Sequence, residues 1–368
     1  METHMRGILT LGMVSGLALS AGLPGTARAE VPSVAADIPP VHSLVAQVMG
    51  DLGTPDLLVR PGASPHGYAL RPSEAAALEQ ADAVFWMGEG LEPWLETAID
   101  ALAAGAVSVE LGEVEGTTRL DTREGATFEA HDHDHEDDHD HDHGHDHEDD
   151  HGHGHDDHDH EDADHGHDDL DHAHEAADAD HDHAHDEEAH EEGHHHHEGG
   201  DPHAWLDPQN AQVWLDAIAS ELSRLDPEHA ETYAANAAQA SARLDGLIAS
   251  ISAELAPVRG RNFIVFHDAY HYFENRFDIP AAGSITLSDA SDPSAARVRD
   301  LQKKVRDLGV SCAFSEPQYN AGLVSAVFDG TEAKTGVMDP LGAALQPGPE
   351  LYGQLMQDLS DSLTGCLQ

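Results

Sequence analysis

The chain has 368 residues, and 71 acidic residues against 17 Lys and Arg give it a formal net charge of −54. Such an acidic chain argues against nucleic acid and anionic membranes as partners and favours cations as ligands. The length is sufficient for two domains.

The N-terminus has the pattern of a secretory signal peptide. Arg6 precedes an apolar, small-residue stretch at 8–23, and Ala27, Arg28 and Ala29 form an A-x-A cleavage site, so we expect the mature chain to begin at Glu30. An uncleaved signal anchor is the alternative, but the apolar stretch is short and rich in glycine. Since no later stretch is long and apolar enough to span a bilayer, we expect a soluble, exported protein, most simply in a bacterial periplasm.

Short strands alternate with helices in the first part of the mature chain. Ser73 is predicted to cap one of these helices, and two prolines and two glycines make 61–68 a loop at the end of a strand. The alternation predicts βα units with a mainly parallel sheet. The predicted strands are 31–36, 56–60, 83–87 and 107–110, and the predicted helices are 41–49, 74–80 and 94–102.

Residues 129–198 are a low-complexity run of His, Asp and Glu. The run holds 25 of the 32 histidines and 31 acidic residues, and it has no Lys or Arg. Because it has little apolar surface to bury, we predict a disordered insert in the first lobe. Imidazole suits Zn²⁺, Cu²⁺ and Ni²⁺, so we expect weak auxiliary metal binding, whereas a plain acidic spacer has no need of imidazoles. Examples of these auxiliary ligands are His131, His133, His135, His194, His195, His196 and His197.

The segment 227–256 is predicted to form one long helix, after an amphipathic helix that starts near Pro208. Asp226 and Pro227 supply an N-cap followed by proline, and apolar residues then recur every three or four positions with no breaker except Gly246. A helix of about 30 residues is about 45 Å long, which indicates a linker between two lobes. Such a helix should limit closure of the lobes, so that release of a ligand would depend on loop motion.

The βα pattern resumes after the long helix. We therefore predict an α/β protein with two lobes, 30–226 and 257–368, each with a mainly parallel sheet flanked by helices. The long helix bridges the lobes. The strands predicted in the second lobe are 263–266, 283–286, 310–314 and 336–338, and the helices are 294–308, 321–328 and 351–363.

Three histidines outside the run stand where α/β proteins bind ligands. His66 and His267 each follow a predicted strand at its C-terminal end, and His203 lies in a loop that enters a helix. Each alone would more often be structural, but three such loops in an exported chain with a metal-collecting run predict a metal site. Other histidines outside the run are assigned to the signal segment (His4) or to the surface (His42 and His229).

Three imidazoles fit tetrahedral Zn²⁺ with one coordination position left. Asp339 also follows a predicted strand and is the natural candidate for that position, and its alternative role is a turn carboxylate before Pro340. The two cysteines, Cys312 and Cys366, admit either a disulfide, which export permits, or two buried free thiols.

Five segments together resemble a known family. In this order, and with a His-rich insert between the first two histidine motifs, the chain resembles the substrate-binding protein of the bacterial high-affinity zinc uptake ABC transporter, in the metal-binding cluster of periplasmic solute-binding proteins. The resemblance covers nearly the whole mature chain. The segments are PGASPHGY at 61–68 with LRPS at 70–73, HAWLDP at 203–208, FHDAY at 266–270, FSEPQ at 314–318 and MDPLG at 338–342.

The resemblance implies two α/β lobes bridged by a long helix, with zinc bound in the cleft by His66, His203 and His267. Manganese-binding members have Glu at the position of His267, and an imidazole there favours zinc over the harder Mn²⁺. The resemblance also implies a disulfide between Cys312 and Cys366.

Two departures from the family affect the site. Some members have an acidic residue before the first histidine, where this chain has Pro65, and this leaves Asp339 or water for the fourth position. His271 is an added histidine one helical turn beyond the third motif histidine, and its candidate roles are an outer partner, a weak alternate ligand or a surface residue. Asp268 and Glu316 are candidates for carboxylates that orient an imidazole N–H.

The expected function is that of a periplasmic receptor, not an enzyme, that captures Zn²⁺ and delivers it to the inner-membrane ABC permease of a zinc importer. We expect a monomer that neither binds nucleic acid nor inserts stably in the membrane. The alternatives are an exported metal store in which the run is the functional site, a manganese-type receptor of the same family, and an exported zinc hydrolase. A hydrolase would need a base such as Glu316 or Asp268, but no HExxH-type motif supports one. Because the run ends close before His203, it is expected to collect metal weakly beside the cleft.

Overall fold

The structure is a computed structural model that describes residues 31–123, 128, 200–286, 294–319, 321–328 and 330–368. The predicted signal peptide at 1–29 and the His-rich insert at 129–198, with its auxiliary histidines, lie outside the described residues. Within the described ranges, no helix is both long enough and apolar enough to cross a bilayer.

The first sheet is wholly parallel and is built from the short apolar strands that alternate with helices. Its strand order is β2-β1-β3-β4, and the inner strands β1 and β3 are buried on both faces, as expected for parallel strands covered by helices. The strands are β1 (Val34–Ala36), β2 (Asp56–Leu57), β3 (Ala83–Trp86) and β4 (Val107–Glu110), and the helices are α1 (Pro39–Met49), α2 (Pro72–Glu79) and α3 (Pro93–Leu102).

Two local predictions in this part of the chain are wrong. Ser73 does not cap α2, because the helix begins one residue earlier with a proline, whose fixed φ suits the first helical position. The carboxylate of Glu74 instead accepts the backbone N–H of Arg71 at 2.7 Å. His42 is not at the surface: it is buried in α1, its Nε2 lies 3.0 Å from the carbonyl oxygen of Pro55, and burial lowers its pKa.

A long helix joins the two sheets, as predicted. The helix α4 (Pro208–Leu225) is followed by α5 (Ala230–Leu255), and short 3₁₀ turns at Pro227–His229 and Ala256–Val258 extend α5 at both ends. At a rise of about 1.5 Å per residue, α5 alone is about 39 Å long. It packs against α1 beside the first sheet and against α9 (Leu351–Leu367) beside the second, which explains how one helix holds both sheets.

The carboxylate of Asp226, just before this helical run, faces side chains and not the backbone N–H groups expected for an N-cap. Its Oδ2 lies 2.6 Å from Nδ1 of His229 and accepts the hydroxyl of Tyr233 at 3.0 Å. His229, expected as an ordinary surface residue, is therefore half-buried in a carboxylate–imidazole pair.

The second sheet is also parallel, with the strand order β5-β6-β7. The strand predicted at 283–286 is reduced to one parallel bridge between Val265 and Ser284. The disulfide between Cys312 and Cys366 is present and ties β6 to α9, with the two Cα atoms 6.0 Å apart. The elements are β5 (Phe263–Ile264), β6 (Cys312–Ser315), β7 (Lys334–Val337), α6 (His271–Phe277), α7 (Ala295–Asp307) and α8 (Ala321–Phe328).

These elements confirm the predicted fold class, an α/β protein with two parallel sheets flanked by helices and bridged by one long helix. The lobe boundaries placed at 226 and 257 stay predictions. The C-terminal ends of the parallel strands are where loops can carry ligand-binding side chains, because neighbouring strands end at the same edge of a sheet.

Candidate metal centre

Three imidazoles from separate loops converge on one point. One ring nitrogen each of His66, His203 and His267 can be chosen so that all three lie within 4.8 Å of one another. The ring centroids are 5.5 Å apart between His66 and His203 and 5.3 Å apart between His203 and His267. Nitrogens bound to one tetrahedral zinc ion lie about 3.4 Å apart, so a small inward movement of the rings would bring all three onto a single ion.

His66 is carried by the loop that follows β2, and α2 and α3 hold this loop in place. Nε1 of Trp94 donates to the carbonyl oxygen of Pro65 at 2.7 Å, directly before the histidine. The hydroxyl of Tyr68 donates to Oε1 of Glu74 at 2.8 Å, and its ring lies against Trp94. The loop is therefore fixed from both sides of His66, although the imidazole itself is only half-buried.

His203 is held by a carboxylate two residues earlier in the chain. Oδ1 of Asp201 accepts the backbone N–H of His203 at 3.0 Å and lies 2.7 Å from its Nδ1. Because a carboxylate only accepts, Nδ1 carries the proton and Nε2 presents a lone pair. Nε2 of His203 is buried and has no hydrogen-bond partner among the described residues, as expected for a nitrogen that is available to bind a metal ion.

The pKa of Asp201 reflects the same contacts. Burial alone would raise it, but the hydrogen bond and charge of His203, with a further contribution from His271, lower the pKa to about 2. Asp201 was missed by sequence reasoning. An aspartate two residues before the histidine, in Asp-Pro-His, is the local signal of a side chain that turns back onto the chain, and it could have identified the residue.

His267 follows β5, and its partner Glu316 follows the neighbouring strand β6. Oε1 of Glu316 lies 2.7 Å from Nδ1 of His267 and accepts its backbone N–H at 3.3 Å. Both side chains are buried. The parallel pairing of β5 and β6 brings the two strand ends together, which explains how residues 49 apart in sequence form this pair. Glu316 thus occupies the place predicted for a carboxylate that orients an imidazole.

The structure places the other two proposed outer residues differently. Asp268 faces Arg123, whose Nε lies 3.0 Å from both carboxylate oxygens and whose Nη1 is 2.6 Å from Glu274. Because the Asp268 carboxylate is paired with the guanidinium of Arg123, Asp268 contacts no imidazole among the described residues. His271 lies beside the Asp201 carboxylate, with Nδ1 3.6 Å from Oδ2, and is half-buried.

Asp339, the candidate fourth ligand, is not brought into the group of imidazoles. Its Oδ1 accepts backbone N–H groups of Leu341 at 3.1 Å and Gly342 at 3.0 Å, and its Oδ2 accepts that of Ala343 at 2.5 Å. Oδ1 also accepts Nε2 of Gln318 at 3.0 Å. These four contacts match the turn carboxylate that the sequence left open as its alternative role.

The pocket around the imidazoles is small and partly open to solvent. Aromatic, proline and leucine side chains form one part of its wall, and the imidazoles with a serine, a glutamate and a glutamine supply the polar groups that could make directed contacts with a ligand. The lining residues are Ser64, Pro65, His66, His203, Trp205, His267, Glu316, Gln318, Tyr319, Pro340 and Leu341.

Two parallel sheets joined by one long helix carry imidazoles from three loops that converge in one pocket, an arrangement suited to binding a metal ion. Residues 34–366 match the model of the ZnuA family, described as zinc-uptake complex component A, periplasmic. The chain belongs to this family, whose members are binding proteins and not enzymes.

A curated relative agrees with this assignment, and two solved structures agree with the fold. The chain is 48% identical over 351 residues to the high-affinity zinc uptake system protein ZnuA of Brucella abortus (strain 2308), covering 95% of this chain and 96% of the relative. A crystal structure of ZnuA matches the fold with a TM-score of 0.65 at 22% identity, over 92% of this chain and 100% of that one. A zinc-bound deletion variant of ZnuA matches with a TM-score of 0.64 at 22% identity, over 92% of this chain and 98% of that one.

Proposed function

We propose that this chain captures Zn²⁺ in the periplasm with His66, His203 and His267 and delivers it to the ABC permease of a zinc importer in the inner membrane. The observation that carries the proposal is the convergence of three ligand nitrogens within 4.8 Å. Membership in the zinc-uptake family and the zinc-bound state of a solved family member support zinc as the cargo. Export would be directed by the predicted signal peptide at 1–29.

The chemistry of the donor set suits reversible capture of a dication. Neutral imidazoles are borderline ligands that favour zinc over the harder Mn²⁺, which supports a zinc receptor over a manganese-type one. Asp201 and Glu316 stand behind two of the rings, at 2.7 Å from Nδ1 in each case, and their two negative charges offset the charge of the ion. Protons compete with zinc for the imidazoles, so affinity should fall in mildly acidic solution.

We further propose that water and not Asp339 fills the fourth position, because the aspartate oxygens are already engaged by backbone N–H groups. The His-rich insert at 129–198 is proposed as an auxiliary segment that collects metal weakly and is separate from the tight site. A zinc hydrolase finds no supporting observation among the described residues, and the alternative of a metal store, which concerns 129–198, is decided by deletion of that segment.

Zinc titration with a competing chelator tests the tight site. The variants are His66→Ala, His203→Ala and His267→Ala in the mature chain lacking 129–198, and each should bind zinc at least tenfold more weakly, since each removes one ligand. His229→Ala is the matched control, because this imidazole is also paired with a carboxylate but lies outside the pocket. Tight binding that is undiminished in all three variants would refute the site, and loss of tight binding on deletion of 129–198 alone would favour a store.

A further inference from the structure

Gln318 lines the pocket of the three imidazoles, and its side-chain amide has a defined orientation. Its Nε2 donates to Oδ1 of Asp339 at 3.0 Å. A carboxylate cannot donate, so the NH₂ end of the amide must face Asp339 and the carbonyl oxygen Oε1 must lie on the other side. Asp339 is itself fixed by the backbone N–H groups of the turn at 341–343, so it holds the amide firmly.

The carbonyl oxygen of this amide lacks a donor. Oε1 of Gln318 is buried and accepts no hydrogen bond from any part of the chain that the structure describes. A buried carbonyl without a donor costs about 1–3 kcal/mol, so such atoms in native proteins usually have a partner. Nε2 of His203 in the same pocket is the complementary case, a buried lone pair that lacks a partner until an ion binds.

We propose that Oε1 of Gln318 accepts a hydrogen bond from the water molecule that completes the coordination of the bound zinc ion. This inference rests on the proposed zinc site. A water bound to zinc is a strong donor, because the ion polarises its O–H bonds, and an amide oxygen is an uncharged acceptor for it. Asp339 then acts as a positioning residue for Gln318 and not as a ligand.

The charges around the site favour a neutral acceptor. Asp201 and Glu316 already place two negative charges behind the imidazoles, which balances a dication. A third carboxylate bound directly to the ion would leave an excess negative charge beside buried side chains, which is unfavourable. Gln318 supplies an oxygen to the fourth ligand without adding that charge.

Gln318→Leu tests the inference, since it removes both polar atoms and keeps a similar volume. We expect the zinc dissociation constant to rise 10- to 100-fold, the usual effect of removing an outer partner of a metal site. Loading with Co²⁺ in place of zinc gives a visible absorption spectrum that reports the coordination geometry, and this spectrum should change in the variant. Gln212→Leu is the matched control, because its Nε2 also donates to an aspartate, Asp245, at 2.8 Å, but outside the pocket.

Each outcome is decisive. An unchanged dissociation constant in Gln318→Leu would overturn the inference, and so would weaker binding with an unchanged Co²⁺ spectrum, which would indicate a purely structural role. A crystal structure with zinc should show a water oxygen within about 3.2 Å of Oε1, and a zinc ion bound by Asp339 would also overturn it. Undiminished tight binding in His66→Ala, His203→Ala and His267→Ala alike would instead refute the proposed function, and this inference with it.

Discussion

Asp201 should control zinc affinity although it does not contact the ion. Asp201→Asn keeps the size of the side chain and one carbonyl oxygen, but it removes the charge that stabilises the imidazole of His203 and a metal dication behind it. The structure gives the carboxylate three contacts: the backbone N–H of His203 at 3.0 Å, its Nδ1 at 2.7 Å, and Nδ1 of His271 at 3.6 Å. Asparagine can retain the first two through its oxygen.

The expected loss therefore lies at the lower end of the effect of outer carboxylates, about tenfold in the zinc dissociation constant, or about 1.4 kcal/mol. A charge-assisted hydrogen bond contributes about 1.5–3 kcal/mol, so losing only its charged part is consistent with this figure. Asp201→Ala, which removes the acceptor as well, should weaken binding further.

The assay is zinc competition with a chelator at constant ionic strength near neutral pH. Asp201 is charged at this pH, because its pKa is lowered to about 2. Its charge stabilises the fold at any pH above the ordinary pKa of 3.8, and this contribution is lost only as the pH falls towards 2. Asp226→Asn is the control. The Asp226 carboxylate also holds an imidazole, with Oδ2 2.6 Å from Nδ1 of His229, but this pair lies outside the pocket. Asp201→Asn with wild-type zinc affinity, or an equal loss in Asp226→Asn, would refute the reasoning.

Two further predictions concern stability in the absence of zinc. Burial raises the pKa of Asp37 to about 6 and that of its neighbour Glu92 well above its ordinary value, so each carboxyl holds a proton in the folded state that the unfolded chain releases. The free energy of unfolding should thus fall as pH rises from about 4 to 6, by up to about 1.4 kcal/mol per pH unit for each of the two carboxyls, and urea unfolding of Asp37→Asn should lose the part of this slope that Asp37 contributes and keep the part that Glu92 contributes. Replacing Cys312 and Cys366 by Ser should cost about 4 kcal/mol, the loop-closure entropy expected for a separation of 54, and an unchanged urea midpoint would contradict this.

The fold was largely predictable because its signals are local and periodic. The long helix follows from apolar residues at every third or fourth position, and parallel sheets follow from the alternation of short strands with helices. Element ends were less predictable, because they depend on tertiary pairing. The strand predicted at 263–266 pairs as β5 only over Phe263–Ile264, since the chain then turns to present His267. The edge strand β7 starts at Lys334, two residues ahead of the apolar segment that indicated it.

The residues of the site also differ in how far they could be predicted, because some roles follow from local sequence and others from contacts between distant residues. The positions of the three histidines after strands, or before a helix, indicated a shared edge without any knowledge of contacts. The carboxylates were harder to predict, since Asp268 is paired with Arg123, 145 residues away, and no local pattern reveals that contact. Gln318 and Asp339 belong to the same case, because their roles follow from a hydrogen bond between two separate loops.

The hydrogen bonds around the site also show which elements hold each imidazole, and His66 differs in this respect from His203 and His267. His203 precedes the long helix and so belongs by sequence to the first lobe, yet the residues beside it bond to the second. Nε1 of Trp205 donates to the carbonyl oxygen of Pro340 at 2.8 Å, and the hydroxyl of Tyr352 donates to the carbonyl oxygen of Trp205 at 2.7 Å.

His66, by contrast, is held by Trp94 of α3 beside the first sheet, through the carbonyl oxygen of Pro65. His203 and His267, which are paired with carboxylates, are therefore both held by elements of the second sheet. His66 is held by different elements, beside the first sheet. Moving the loop that carries His66 would have to break the hydrogen bond between Trp94 and Pro65, but it would remove one ligand and leave both carboxylate–imidazole pairs intact. Because α5 packs against elements beside both sheets, we expect release by this loop motion and not by separation of the sheets.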